Sequence, residues 1–236
     1  MMRIIFASVA FLACAVPASA ETCFGAQENF EPGAVQLGIV NAAKTWFHED
    51  DLTRMKAFVL KGDELLVDPS QAQGNEWLCV TYIGKKGVDT RGFVKTSDIA
   101  LRAPVALPLE EWLGDWTTGK WQNLTLRKGN KPGWIYIVGS AYWAMSEENA
   151  LNGAIHAGGV HGQGPLENNL VGFSQTDDET YSPWSEEARE HYGCAILVQL
   201  ISHNYLMVED SGSCGGHNVS FTRFYGRGKV RDLEGS

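Results

Sequence analysis

The sequence predicts an all-β protein built of two compact units, a small barrel followed by a second antiparallel barrel or sandwich, stapled by disulfides. Three observations predict it. Short runs of β-forming residues alternate with Gly, Asn and Asp turn residues, no long stretch has helical period, and the cysteines beyond residue 20 number four, an even count.

The chain opens with Met1, Met2 and Arg3, an apolar run from Ile4 to Val16, and Pro17-Ala18-Ser19-Ala20. A short positive start, a short apolar run and an A-x-A box form a secretory signal, with residues 1–20 expected to be removed. The run is shorter than the roughly 20 residues a membrane-spanning helix needs, and no transmembrane segment is expected elsewhere. An alternative places a lipid anchor on Cys14 in Phe11-Leu12-Ala13-Cys14. Either route leads to a periplasmic or secreted protein.

Cleavage removes Arg3, so the 19 bases of the chain become 18 against 28 acids, a mature net charge of −10. Nucleic acid is excluded as an expected partner, because phosphate binding needs a basic stripe. Cys23, Cys79, Cys194 and Cys214 then lie in an oxidising compartment and read as two disulfides, four buried thiols being the alternative. Three connectivities are open; Cys23–Cys79 with Cys194–Cys214 keeps each bridge inside one unit. Loops of that size constrain the unfolded chain by roughly 3–4 kcal/mol each on the entropy model.

In the first unit (21–101), strands are expected at Gln36 to Asn41, Ala57 to Leu60, Glu64 to Val67, Trp77 to Ile83 and Gly92 to Val94. Alternation along the fourth puts Leu78, Val80 and Tyr82 on one face and Trp77, Cys79 and Thr81 on the other. Gly62 supplies the positive φ of a tight turn before Leu65. Residues 102–108, with Pro104 and Pro108 and no period, are expected to be a linker.

In the second unit (109–227), strands are expected at Leu124 to Arg127, Trp134 to Val138, Leu170 to Gln175, Cys194 to Ser202, Tyr205 to Glu209 and Val219 to Tyr225, with residues 228–236 a flexible tail. Trp134 to Val138 is apolar on both faces and is expected to be covered on both. His203-Asn204 gives a tight hairpin. No segment repeats at a fixed spacing.

Trp46-Phe47, Lys61-Gly62-Asp63, Glu76-Trp77-Leu78-Cys79-Val80 and Arg91-Gly92-Phe93-Val94-Lys95-Thr96-Ser97-Asp98 together resemble the bacterial SH3-type domain family over about residues 35–101. The chain departs from that family's pattern at Phe93, where tryptophan is commoner, and in an enlarged turn at Asp68 to Asn75. The resemblance implies a binding module for cell-wall peptides or a neighbouring protein, with Trp46, Phe47, Trp77 and Phe93 as ligand contacts. The alternative is that Trp46, Phe58, Trp77 and Phe93 simply pack the core, as aromatics of that size do in small barrels. Gly114-Asp115-Trp116 and the meander after it resemble calycin-type barrels, including periplasmic inhibitors. The ending around Cys214-Gly215-Gly216-His217-Asn218-Val219 resembles uncharacterised exported bacterial domains.

Cys194 with His203 or His217 could suggest a cysteine peptidase, but Cys194 runs into a strand, where a thiolate nucleophile more often sits at a helix start; the disulfide is preferred. His156 and His161, in a glycine-rich stretch expected to be a flexible loop, with His217 in another, are candidate ligand contacts; zinc takes histidines near such spacings, but exposed or hydrogen-bonded histidines are the preferred reading. No His-x-x-x-His or His-Glu pair supports a catalytic metal, and no Gly-Lys-Ser ending supports a phosphate cradle, so no cofactor is expected. Acidic runs such as Glu49-Asp50-Asp51 and Asp177-Asp178-Glu179 lack calcium-loop spacing and are expected to be solvated.

These readings point to a non-catalytic binding protein of the cell envelope, whose partner is a cell-wall peptide or a protein. An inhibitor or immunity protein acting on a cell-wall hydrolase or toxin is the alternative, since an acidic surface steers cationic partners; a cell-wall peptidase or amidase ranks third.

Overall fold

The computed structural model describes residues 23, 34–84, 89–103, 105–118, 121–175, 181–185, 187 and 193–228. The signal segment, Cys14, the acidic run at 177–179 and the tail beyond 228 lie outside the described residues. Two antiparallel sheets hold almost the whole of the described chain, with one short helix, α1 (Glu147–Leu151).

The first sheet comprises β1 (Gln36–Val40), β2 (Lys44–His48), β3 (Arg54–Leu60), β4 (Glu64–Gln73), β5 (Trp77–Ile83), β6 (Asp89–Lys95) and β7 (Ile99–Arg102), in the order β3-β2-β6-β5-β4-β1-β7. Its core is Val40, Phe47, Val59, Leu65, Val67, Leu78, Val80, Val94 and Ile99. Gly62 takes φ +91° in the β3–β4 turn, where nothing would obstruct a side chain but the backbone favours glycine. The enlarged turn is a continuation of β4 with a register shift between Asp68 and Gln73. Buried Asp68 holds it, accepting from Ser70 N (2.9 Å), Ser70 Oγ (2.6 Å) and Gln71 Nε2 (3.1 Å).

The second sheet comprises β8 (Gly114–Thr117), β9 (Gln122–Lys128), β10 (Trp134–Trp143), β11 (His156–Pro165), β12 (Leu170–Gln175), β13 (Tyr181–Pro183), β14 (Cys194–Ser202), β15 (Tyr205–Asp210) and β16 (Arg223–Arg227). In their order, β11-β10-β9-β8-β16-β15-β14-β12-β13, all pairings are antiparallel, the first strand pairs with the last, and β14 pairs with β12, which carries β13 on its other side. β11 comes up against β12 beside the short end strand β13: a Cβ on Gly164 would sit 2.2 Å from the Gly172 carbonyl oxygen. The sheet is thereby nearly closed into a barrel. Arg227 fastens the closure. Its guanidinium lies 4.1 Å from the Trp116 ring centroid, donates to Leu113 O at 2.8 Å, and donates to Glu111 O.

The structure departs from the sequence expectations in four places. The stretch around His156 and His161, expected as a loop, is the ten-residue strand β11. The expected strand from Val219 begins later, at Arg223, because residues 220–222 wrap buried Asp210, which accepts from Phe221 N (2.9 Å), Ser220 Oγ (3.1 Å) and Thr222 Oγ1 (2.8 Å). In β10 the face carrying Ile135 and Ile137 is fully buried, whereas Trp134, Tyr136 and Val138 are only half-buried, so one face is covered rather than two. Arg102, at the start of the expected linker, belongs to β7, and the 3-10 turn Leu109–Glu111 follows it.

The two sheets pack against each other. Val35, Leu66, Cys79 and Phe93 on the outward face of the first meet Met207 and Phe224 on the outward face of the second. Asn204 Nδ2, in the β14–β15 hairpin, donates to Glu64 Oε2 at 3.0 Å. The disulfides are Cys23–Cys79 and Cys194–Cys214; the first ties the chain before β1 to this interface, and the second ties the start of β14 to the loop before β16.

Candidate functional site

A β-barrel that carries a small ligand inside must leave its interior empty. Here the interior is filled by Trp116, Leu124, Leu126, Ile135, Phe173 and Tyr225, all buried. The Phe173 ring occupies the space that a side chain on Gly162 would take, at 2.4 Å from an ideal Cβ. The candidate sites therefore lie outside the barrel.

A cleft of about 290 Å³ lies between the sheets, with Val35, Leu37, Leu200 and Ile201 on its walls and Ala103, Val105 and Leu107 along one side. Its carboxylate, Glu64, is committed to Asn204. The cleft reads as an extension of the packing between sheets.

The outward face of β2 and β3 is different in kind. Along β3 the odd positions Met55, Ala57 and Val59 turn inward, while Arg54, Lys56, Phe58 and Leu60 are exposed. Phe58 is 45% exposed and Leu60 49%, two apolar side chains on the same outward face of β3. Across the ladder, Lys44 pairs with Leu60 and Trp46 with Phe58. The Trp46 and Phe58 rings meet edge-on at 5.2 Å, and Lys44 Nζ sits 3.8 Å from one centroid and 3.7 Å from the other. Arg54 lies over Trp46 at 4.8 Å. Such a stack stabilises by about 0.5–2 kcal/mol per cation and fixes the orientation of otherwise mobile chains. Among the described residues, none of Lys44, Arg54 and Lys56 forms an ion pair. β3 ends the strand order, so its outer backbone edge pairs with no described strand.

The four aromatics singled out from the sequence separate. Phe47 and Phe93 are fully buried and pack, Phe47 in the barrel core and Phe93 between the sheets. Trp46 is on the cationic face. Trp77 is half-buried where that face meets the interface, with His48 edge-on at 4.6 Å and His48 Nδ1 3.3 Å from Phe93 O. Phe58, Lys44 and Arg54 were not singled out as contacts, although strand alternation puts Phe58 and Trp46 outward once their pairing is known.

His156 and His161 do not converge. They are five residues apart on one strand and so point to opposite faces. The neighbours of His156 are Trp143 at 5.6 Å and His217 at 6.3 Å. Cys194, bonded to Cys214, carries no thiolate. Asp51, exposed at the tip of the β2–β3 connection, is held below the usual carboxylate range chiefly by the hydrogen bond from Thr53 N, with the Thr53 hydroxyl adding to it. No described helix is long and apolar enough to cross a membrane, and the two disulfides fit an oxidising compartment. No protein-family model, no curated protein and no solved structure matches the chain.

Proposed function

We propose that the mature chain is a non-catalytic binding protein of the cell envelope that presents the β2–β3 face to a carboxylate-bearing cell-wall peptide. The observation that carries this reading is the seating of Lys44 between Trp46 and Phe58 on the terminal strand of the first sheet. The rings offer a rigid platform for apolar groups at little entropic cost. Lys44, Arg54 and Lys56 supply three cations on one side of a chain whose formal net charge is −9. Cell-wall stem peptides combine small apolar side chains with free carboxylates, which match both halves of that surface. The sequence's secretory start supports placing the protein where such peptides occur.

Co-sedimentation with purified sacculi tests the reading. Wild-type mature protein is expected to pellet and the Trp46→Ala/Phe58→Ala double variant to stay in solution; equal pelleting of the two would overturn it. The acidic net charge favours a second reading, inhibition of a basic cell-wall hydrolase. Hydrolase inhibition that disappears at high salt, without binding to sacculi, would favour that second reading.

A further inference from the structure

We propose that His156 and His217 form a surface site for one divalent transition-metal ion of the zinc and copper class. The site is separate from the β2–β3 face and does not depend on its function.

The two imidazoles come from segments 61 positions apart, His156 at the start of β11 and His217 in the loop before β16. Both are exposed. Their ring centroids are 6.3 Å apart, at 70°. With a nitrogen–metal distance of about 2.0–2.1 Å and each nitrogen roughly 1.1 Å from its ring centre, two imidazoles on one ion have centroids about 5 Å apart at a tetrahedral angle and about 6.4 Å apart when opposite each other. The observed spacing lies at the outer end of that range, so chelation needs a side-chain rotation that brings the two exposed rings about 1 Å closer.

The backbone beneath the rings is fixed. Gly158 pairs with Gly215 in a bridge, and Gly216 N donates to Ala157 O at 3.1 Å. The approach is so close that a Cβ on Gly158 would sit 2.4 Å from Cys214 O. Val219 N donates to Gly216 O at 3.0 Å, closing a turn around His217 in which Asn218 takes φ +64°. The Cys194–Cys214 disulfide anchors the loop to β14. Holding the two backbones in place before binding removes part of the ordering cost, leaving the side-chain rotations for the ion to offset.

Imidazole donors select zinc, copper and nickel over calcium and magnesium. No group of three or more His, Cys, Asp or Glu side chains that could hold a metal is present among the described residues, so water completes the coordination sphere. Positions stay open to a further ligand.

Trp143, 5.6 Å from His156, provides the readout, because bound Cu²⁺ quenches a neighbouring indole. Titration of the mature protein with CuCl₂ at pH 7.5 is expected to give saturable quenching at one ion per chain, with a micromolar midpoint. His156→Ala and His217→Ala are each expected to weaken it at least tenfold, while His161→Ala, on the opposite face of β11, leaves it unchanged. Trp143→Phe is expected to lose most of the quenching amplitude yet keep the stoichiometry in equilibrium dialysis. Both histidines are exposed, so the variants should melt as the wild type does. Midpoints within twofold of wild type for either histidine variant, or an equal loss with His161→Ala, would overturn the proposal.

Discussion

Asn204 and Glu64, 140 positions apart in the chain, are joined by a 3.0 Å hydrogen bond that ties the β14–β15 hairpin of the second sheet to the start of β4 in the first. Beside it, Met207 and Phe224 are 2% and 7% exposed against Leu66 and Phe93. These two residues lie outside the barrel interior, so only the packing between sheets accounts for their burial. The chain should therefore unfold in one cooperative transition by calorimetry, with van't Hoff and calorimetric enthalpies equal. Phe224→Ala should cost about 3 kcal/mol, within the range for a buried phenylalanine. Met207→Asp, which places a carboxylate in this contact, should split the transition in two. Two transitions in the wild type would contradict the coupling.

The seam of the barrel predicts opposite outcomes for two neighbouring glycines. A Cβ on Gly162 would lie 2.4 Å from the Phe173 ring, whereas one on Gly159 would meet nothing closer than 3.8 Å, and neither glycine has positive φ. Gly162→Ala should therefore destabilise by about 1–3 kcal/mol through overpacking. Gly159→Ala should be neutral or slightly stabilising, since it restricts the unfolded chain. Urea titration of both variants checks this.

Alkaline pH should loosen the contact between sheets. Burial, then the nearby Glu64, Tyr82 and Asp63, push the Tyr205 hydroxyl up to about 12 from its ordinary 10.0. Burial and Asp63 also raise Tyr82. A raised folded value means that the unfolded chain releases its proton first as pH climbs. The stabilisation is therefore complete below about pH 10 and is lost as pH rises through about 12. Tyr205→Phe, which gives up no hydrogen bond among the described residues, should leave neutral-pH stability intact and flatten that decline in thermal melts taken from pH 9 to 12. An unchanged slope would contradict this.

Strands with dense β-forming side chains were legible in the sequence: β5 and β14 run over Trp77–Ile83 and Cys194–Ser202 as alternation and composition indicate. β11 was not, because its glycines erase the side-chain pattern on which strand recognition depends. Those glycines serve close approach to Phe173, Gly172 and Gly215, a requirement visible only once the strands are assembled. The cationic face was half legible. Adjacent Trp46 and Phe47 must point to opposite sides of β2, so one of them had to be outward. Which one, and that Phe58 stands beside it, depends on the pairing with β3 and on where the second sheet covers the first. Met207 and Phe224 gave no signal, since an apolar residue on the outer face of a barrel looks the same in sequence whether a neighbour covers it or not.

The chemistry of the β2–β3 face is tested most directly by titrating the protein without residues 1–20 with a carboxylate-bearing cell-wall stem peptide and with its fully amidated form, followed by backbone-amide shifts. Saturable shifts confined to residues 44–60, at least tenfold weaker binding in Lys44→Ala and Trp46→Ala, and loss of binding on amidation are the predicted result. Equal affinity for the two peptides, or shifts that map away from β2 and β3, would contradict it.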